Sequence, residues 1–522
     1  MSSIIRQISD YVKQGRTFDA EKLAWELYNQ NKKDFISIKT LATTLIMQQK
    51  FAGALNLFLD AYDIKKNDYD VLVNIAHLFL KFDEYEGAYN FAKMAIELDI
   101  SPYHPYVSLS EVYLKKRRFE KAYQTVIELQ KRVTFDHIIK NHQTMYMMLD
   151  IFLASGNDEE ALKFINLSYE KNFVPEIFYY HASLDAKYIN DSLILKANNF
   201  IKESKFENHI QKAKILSPVY FGLGKANLKN DQTLSDMNFM QANEEVSETQ
   251  RYRPLENQVQ LKKIKLSFEN YLPNDFKDEG EDLIFITGMP RSGTTLLESI
   301  LHSSGEVFSG GELNSIHELF SQVINKEDDD FMKNKFLKDE ELGETYLRRV
   351  RYLSKDSGKK YILDKLPGNF NYIGFIKKRF PKAKILYIKR DPWDNAISLY
   401  QQFYVKNIPY ASTFFNIAVI YADHEEIIRY WQEDAKIDFL SLDYETLVSD
   451  TKNYSKKIFE FCGFNTSYND EKRKGFFSRT ASKIQVRGEV HSKSLKKKAF
   501  EQQKKEFIEF LSTQRGYWSK KP

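Results

Sequence analysis

Between Leu283 and Leu297 the chain reads Leu-Ile-Phe-Ile-Thr-Gly-Met-Pro-Arg-Ser-Gly-Thr-Thr-Leu-Leu. An apolar run ends at Gly288, a loop follows, and an amphipathic segment begins at Thr295. Strand, tight turn and helix start in that order make an anion site, because free backbone N–H groups and the positive helix end face the loop. The spacing Gly288-x4-Gly293-Thr294-Thr295 is that of a phosphate-holding loop, but Thr294 stands where nucleotide-hydrolysing enzymes carry lysine. Gly288 and Gly293 admit close backbone approach to an anion, and Arg291, Ser292 and the threonines add donors. The plain alternative is a glycine turn with an exposed arginine.

A second constellation lies at Lys389-Arg390-Asp391-Pro392, followed by Asn395 and Ser398. Asp391 suits a helix N-cap and Pro392 the first helical position, so Arg390 falls at a strand's carboxyl end and Ser398 about two turns along the helix. One arginine and one serine converging there suit a second phosphate. The same tripeptide is equally an ordinary strand-to-helix turn.

These residues need a scaffold. Beyond Asp282, apolar runs at Leu283–Thr287, Tyr361–Leu363, Ile385–Ile388 and Phe439–Leu442 alternate with helical patterns at Thr295–His302, Tyr372–Arg379 and Pro392–Tyr404. That alternation predicts a parallel α/β sheet, which binds ligands beyond the carboxyl ends of its strands. The front of the chain repeats instead. Ala54, Ala88 and Ala122 are 34 residues apart, as are Phe51, Tyr85 and Phe119, and Leu45, Phe79 and Tyr113. Ala42 and Ala76 keep the step, with Ser110 next. Small residues beside aromatic ones at this period predict stacked helix–turn–helix units of tetratricopeptide-repeat type. Looser units surround Phe18 to Leu23 and Ala161, and Leu216 to Asn243 reads as one more helical pair. Ser247 to Glu279 is polar and mixed and reads as a connector. The expected organisation is a helical repeat domain over 1–250, a connector over 251–280 and a three-layer α/β domain over 281–522.

The 522 residues suffice for roughly three domains of about 150 residues. Net charge is only +4, which argues against a nucleic-acid binder, although Asp470 to Pro522 carries fifteen Lys or Arg against six Asp or Glu. The single cysteine, Cys462, excludes an intramolecular disulfide and a cysteine-based metal site. Met1 to Arg16 has no apolar core of signal-peptide length, and no run approaches the ~18 apolar residues of a membrane span. A cytoplasmic location is the expectation.

The pair formed by Pro290–Thr295 and Arg390…Ser398 resembles the two cofactor motifs of sulfotransferases that use 3′-phosphoadenylyl sulfate. With repeats in front, the chain is similar to the bacterial tetratricopeptide-repeat sulfotransferases, relatives of the tyrosylprotein sulfotransferases. The resemblance implies a P-loop-like α/β sulfotransferase domain. Its first loop, Arg291, Ser292, Gly293, Thr294 and Thr295, would hold the 5′-phosphosulfate, and Arg390 with Ser398 the 3′-phosphate. The missing lysine is then expected. Ser309-Gly-Gly-Glu312 resembles the segment whose glutamate is the catalytic base, a role otherwise read as a helix cap. Leu363-Asp364-Lys365 resembles the strand end whose lysine stabilises the transferred group, and Asp443-Tyr444-Glu445 the segment whose tyrosine touches the cofactor. Without the resemblance, Lys365 is one surface lysine among many and Tyr444 a plug between helix and sheet.

Thr480 to Arg487 resembles the family's late Ser…Gln-Val segment. It implies that Ser482 assists the transition state, that the segment from Ser482 to His491 folds over the nucleotide with Gln485, Val486 and Arg487 as contacts, and that Lys497 is a further cofactor contact. Two departures fall here: Glu489 replaces a usual proline and Lys498 a usual tryptophan. After Glu312 the chain has Asn314 and Glu318 where tyrosylprotein sulfotransferases carry peptide-binding arginines, which speaks against an acidic tyrosine peptide as acceptor. His317 is the alternative base.

The resulting expectation is sulfuryl transfer from 3′-phosphoadenylyl sulfate to an acceptor hydroxyl on a protein, glycan or other large substrate, with no metal. The repeats would bind that substrate or a protein partner, or mediate dimerisation. A P-loop kinase would need the absent lysine and a magnesium-binding pair. A repeat scaffold with a degenerate nucleotide-binding half is the non-enzymatic alternative.

Overall fold

The computed structural model describes residues 2–98, 103–184, 188–249, 251–271, 279–324, 339–404, 408–478 and 499–519. The chain divides into two compact units, residues 1–157 with 351–353, and residues 158–350 with 354–522. No helix among the described residues is long and apolar enough to cross a membrane.

In the first unit the helices pair as Phe35–Met47 with Phe51–Ile64, Tyr69–Lys81 with Tyr85–Glu97, and His104–Lys115 with Phe119–Gln130. The repeat recurs in local chemistry. Asp34 and Asp68 cap the first helices of their pairs, accepting from Ser37 N at 2.8 Å and Val71 N at 3.2 Å. At each turn between paired helices the backbone enters the left-handed region, at Gln49, Asp83 and Arg117, with φ of 58°, 54° and 54°. The next amide then reaches back to the aliphatic or aromatic column, from Lys50 to Leu45 O, Glu84 to Phe79 O and Arg118 to Tyr113 O, at 2.9, 2.8 and 2.9 Å. Ala20, Ala54, Ala88 and Ala122 are all fully buried. The tolerance beside this column is small: a Cβ on Gly87 would stand 2.7 Å from the Phe79 ring.

The second unit opens with the helices Asp158–Lys171, Pro175–Leu184, Asp191–Glu203, His209–Asn227, Gln232–Thr249 and Pro254–Asn270. The stretch that reads as a polar connector is therefore largely helix. Pro254–Asn270 buries Leu261, Ile264 and Phe268, and its Lys265 pairs with Glu426 at 2.6 Å.

The sheet that follows has five parallel strands in the order β2-β3-β1-β4-β5, where β1 is Leu283–Thr287, β2 Val307–Gly311, β3 Tyr361–Lys365, β4 Lys384–Lys389 and β5 Leu440–Asp443. Four of these match the apolar runs of the sequence. The fifth, β2, is an edge strand ending in Ser309-Gly310-Gly311, and its pairing to β3 is irregular between Ser309 and Gly311. β1 is buried at every position, as a central parallel strand covered on both faces must be. One apolar layer joins Ile284, Ile286, Leu363, Leu386, Ile388 and Leu442 to helix residues Leu297, Ile300 and Ile458. From β1 the chain goes to the edge strand β2, returns to β3 between the two, then crosses β1 to β4 and β5. The carboxyl end of β1 is thus the topological switch point, where such sheets bind ligands.

Candidate functional site

All five strands deliver a residue of interest at their carboxyl ends. After β1 comes the loop Gly288–Gly293, which the structure shapes with three unusual backbone angles: φ is +153° at Gly288, +68° at Arg291 and +109° at Gly293. A side chain at Gly288 would strike Ile388 O, and one at Gly293 would strike the Tyr444 ring. Both glycines are therefore fixed by space as well as by conformation. Gly293 is the N-cap of the helix Thr294–Ser303, whose first turn carries Thr294 and Thr295. Ser292 is buried, and its Oγ has no hydrogen-bond partner among the described residues.

Arg291 is braced by the second constellation. Its Nε donates to Ser398 Oγ at 3.1 Å, while its carbonyl accepts from Arg390 Nη1 at 3.1 Å. The Arg390 guanidinium lies 4.5 Å from the Tyr444 ring centre, and Arg390 O accepts from the Tyr421 hydroxyl at 2.5 Å. Asp391 caps the helix Pro392–Tyr400, accepting from Asp394 N at 2.9 Å, and Asn395 on that helix donates to Pro290 O at 3.1 Å. Burial and the Arg390 charge both draw the Arg291 guanidinium below its usual value, an environment that favours an anion beside it. Arg291, Ser292, Gly293, Thr294, Thr295, Arg390, Ser398 and Tyr444 thus form one connected cluster.

Glu312 follows β2 and Lys365 ends β3, and the two meet: Lys365 Nζ lies 2.6 Å from Glu312 Oε1. Lys365 is completely buried, whereas the Glu312 side chain is 44% exposed. A second carboxylate, Glu298, stands 3.6 Å from Lys365 Nζ and accepts from Ser309 Oγ at 2.5 Å. Burial alone would lower the Lys365 ammonium, but the Glu312 and Glu298 carboxylates outweigh it and hold it above its ordinary value. Glu298 went unnoticed in the sequence because it sits in an amphipathic helical pattern without a motif of its own. Its glutamate, aligned with the buried face of Thr294–Ser303, was the available signal.

His317 is turned to other work. Its Nδ1 is 2.8 Å from the Tyr372 hydroxyl, and burial draws its pKa below the ordinary imidazole value. Ser482, Gln485, Val486, Arg487 and Lys497 lie outside the described residues. Among the described residues no cluster of three or more His, Cys, Asp or Glu could hold a metal ion.

The family model of the sulfotransferase family matches residues 282–468, the span holding all five strands and every residue placed above. This part of the chain is a sulfotransferase-family domain. A second model, of ChAPs (Chs5p-Arf1p-binding proteins), matches residues 3–164. An uncharacterized protein of Aquifex aeolicus (strain VF5) is 32% identical over 279 residues, covering 49% of this chain and 36% of the relative. The chain thus spans about a third of the length of that curated relative. Among solved structures, a tetratricopeptide repeat protein from Parabacteroides merdae aligns at 17% identity and a TM-score of 0.34, over 46% of this chain and 91% of that one. Sulfotransferase STF9 from Mycobacterium avium aligns at 12% identity and a TM-score of 0.26, over 55% of this chain and 86% of that one. Paired helices at a 34-residue step precede the part that the sulfotransferase-family model matches, and that part is built on a parallel sheet.

Proposed function

We propose that the sulfotransferase domain moves a sulfuryl group from 3′-phosphoadenylyl sulfate to an acceptor hydroxyl. The observation that carries this reading is the Lys365–Glu312 pair, set beside an anion loop that has threonine in place of the phosphoryl-transfer lysine. The residues present fit such a donor. Ser292 Oγ is a buried polar atom without a hydrogen-bond partner among the described residues, and the space above Gly288 and Gly293 tolerates no side chain.

In this reading the loop Arg291–Thr295 holds the 5′-phosphosulfate through backbone N–H groups and hydroxyls. Arg390 and Ser398 hold the 3′-phosphate, and Tyr444 lines the nucleotide. The donor supplies a sulfuryl group on a bisphosphate leaving group. Glu312 takes the proton of the acceptor hydroxyl as its oxygen bonds to sulfur and the bond from sulfur to the phosphate oxygen breaks. Lys365 has three N–H bonds, of which two can serve Glu312 and Glu298. The third can meet negative charge growing on the transferred group or the leaving phosphate. Ser482, Gln485, Val486, Arg487 and Lys497 are proposed to complete the nucleotide side. The acceptor is proposed to be a protein or another large hydroxyl-bearing molecule, recruited through the repeats.

A thermal-shift titration tests the donor reading. Adenosine 3′,5′-bisphosphate at one hundred times its dissociation constant stabilises a folded protein by about 2.7 kcal/mol. Stabilisation by the bisphosphate and not by ATP with magnesium is the expected result. The reverse pattern overturns it in favour of a kinase-like site.

A further inference from the structure

The loop after β1 turns at Met289-Pro290-Arg291-Ser292, where Ser292 N donates to Met289 O at 3.1 Å and closes a four-residue turn. Proline suits the second place of such a turn, since its ring presets φ. The third place is taken by Arg291 at φ +68°, in the left-handed region that glycine usually fills there. This combination marks the form of the turn whose central peptide, from Pro290 C=O to Arg291 N–H, is flipped over relative to the commoner form. An arginine keeps that conformation only where its surroundings hold it.

Three residues of one segment do the holding. Arg390, just after β4, donates to Arg291 O, and Ser398 Oγ accepts from Arg291 Nε, each at 3.1 Å. Neither of these bonds is made to the flipped peptide itself. That bond comes from Asn395, whose Nδ2 donates to Pro290 O at 3.1 Å. Asn395 lies one turn before Ser398 on the helix Pro392–Tyr400, so the two share the face that grips the loop. A peptide is planar and trans, so a carbonyl fixed toward Asn395 directs the Arg291 N–H the opposite way. Asn395 is also kept at a cost. It is fully buried, and its Oδ1 has no hydrogen-bond partner among the described residues. An apolar side chain of the same size would bury no orphaned oxygen. The amide is therefore a liability for packing, offset by its one bond to the carbonyl that sets the flip.

We propose that Asn395 is a positioning residue for the sulfuryl donor: by holding Pro290 O it locks the Pro290–Arg291 peptide in the orientation with which the loop's N–H groups meet the 5′-phosphosulfate. This rests on the sulfotransferase reading above. It gives the helix after β4 a second task. Arg390 and Ser398 serve the 3′-phosphate directly, whereas Asn395 serves the 5′ side through the loop, without touching the nucleotide.

The test compares two ligands that differ only in the 5′-phosphate. The full chain and its Asn395→Leu variant are titrated calorimetrically with adenosine 3′,5′-bisphosphate and with adenosine 3′-phosphate. Leucine fills the space of the amide and cannot donate. The variant is expected to bind the 3′-monophosphate like the parent and the bisphosphate about tenfold more weakly, the effect of one hydrogen bond. Removal of an unpartnered oxygen offsets the lost bond, so the thermal midpoint should stay near the parent's. Asn395→Ala lacks the same donor but leaves a cavity, and it should show the same ligand pattern whatever its midpoint. Unchanged affinity for the bisphosphate in both variants overturns the assignment while leaving the sulfotransferase reading intact. Equal weakening for both ligands overturns it too, in favour of a purely structural role in the helix. A parent chain that binds neither nucleotide removes the underlying reading and the inference with it.

Discussion

Lys365 Nζ and Glu312 Oε1 are 2.6 Å apart, although the residues come from the ends of two different strands and are separated by a large exposure difference. The buried ammonium is thereby bound to the partly exposed carboxylate that would take a proton from an acceptor. In the proposed reaction the pair joins the group that would take the proton to the group that would meet the growing negative charge. An acceptor that draws on Glu312 would change the charge felt by Lys365.

Glu312→Ala is expected to leave nucleotide binding within a few-fold of the parent and to lower turnover by roughly 10²–10⁴, the usual range for a positioned base. Calorimetry with adenosine 3′,5′-bisphosphate gives the first quantity and label transfer from a radioactive donor into cell-lysate acceptors gives the second. Full activity in this variant would move the base to His317. That residue would first have to give up its 2.8 Å bond to the Tyr372 hydroxyl.

Lys365→Met is expected to destabilise the second unit by about 3–5 kcal/mol, because Glu298 is left buried without its cation. Adding Glu298→Gln to that variant should restore part of the loss. The pH dependence has a definite sign. Lys365 is held above its ordinary value of 10.5, so its contribution is fully present below that pH and is lost as pH rises through the folded value. Denaturant titrations of parent and variant should therefore differ by a constant amount through neutral pH and converge only in strong alkali.

Gly293→Ala puts a Cβ into the Tyr444 ring and an L-residue at φ +109°. The expected cost is about 1–3 kcal/mol of stability, with loss of bisphosphate binding. Tyr444→Ala in the same background makes room for the methyl group but not for the backbone angle. Rescue of stability alone, without binding, separates the two causes.

The repeat was legible because each column has one physical task at every step. Ala54, Ala88 and Ala122 are fully buried at the same place in each helix pair. β1, β3 and β4 were legible as apolar runs, since a central parallel strand is covered on both faces, and β5 at the sheet's edge was legible from the run Phe439–Leu442. β2 was not, because an edge strand ending in Ser-Gly-Gly has neither alternation nor an apolar run, and its place is set by pairing to β3. The helix expected over Pro392–Tyr404 stops at Tyr400 for a similarly nonlocal reason. Asn243 satisfies Tyr400 O, and Tyr179 holds Gln402, so partners far along the chain replace the next helical turn. The partner of Lys365 belongs to the same class: motif residues can be found in sequence, but Glu298 acquires meaning only from the buried ammonium it faces. The polar face of Pro254–Asn270 hid its buried residues in the same way.

Ala88→Leu tests the repeat directly. Ala88 has no exposed surface between Tyr85 and Ala92 on one helix and its paired neighbour, so three extra carbons cannot be placed without moving a helix. The expected loss is about 1–3 kcal/mol, measured by chemical denaturation of the full chain. Bisphosphate binding should be unchanged, because Ala88 belongs to the first compact unit and the residues proposed to hold the nucleotide to the second.

His424 supplies the acid side of the stability profile. It is buried beneath Phe370, Tyr387 and Tyr421, with ring centres 4.6, 5.5 and 5.9 Å away, and neither ring nitrogen has a hydrogen-bond partner among the described residues. Burial draws its pKa down to about 3 from an ordinary 6.5. The unfolded chain therefore binds a proton that the folded chain refuses between these values, so stability falls as pH drops below about 6.5 and goes on falling towards 3. The full effect is a few kcal/mol, at roughly 1.4 kcal/mol for each unit of separation. His424→Phe keeps an aromatic ring in the same cage and removes the titration. Its unfolding free energy should consequently lose less than the parent's between pH 6.5 and 4 in urea titrations, and an unchanged slope would assign the acid sensitivity to other groups.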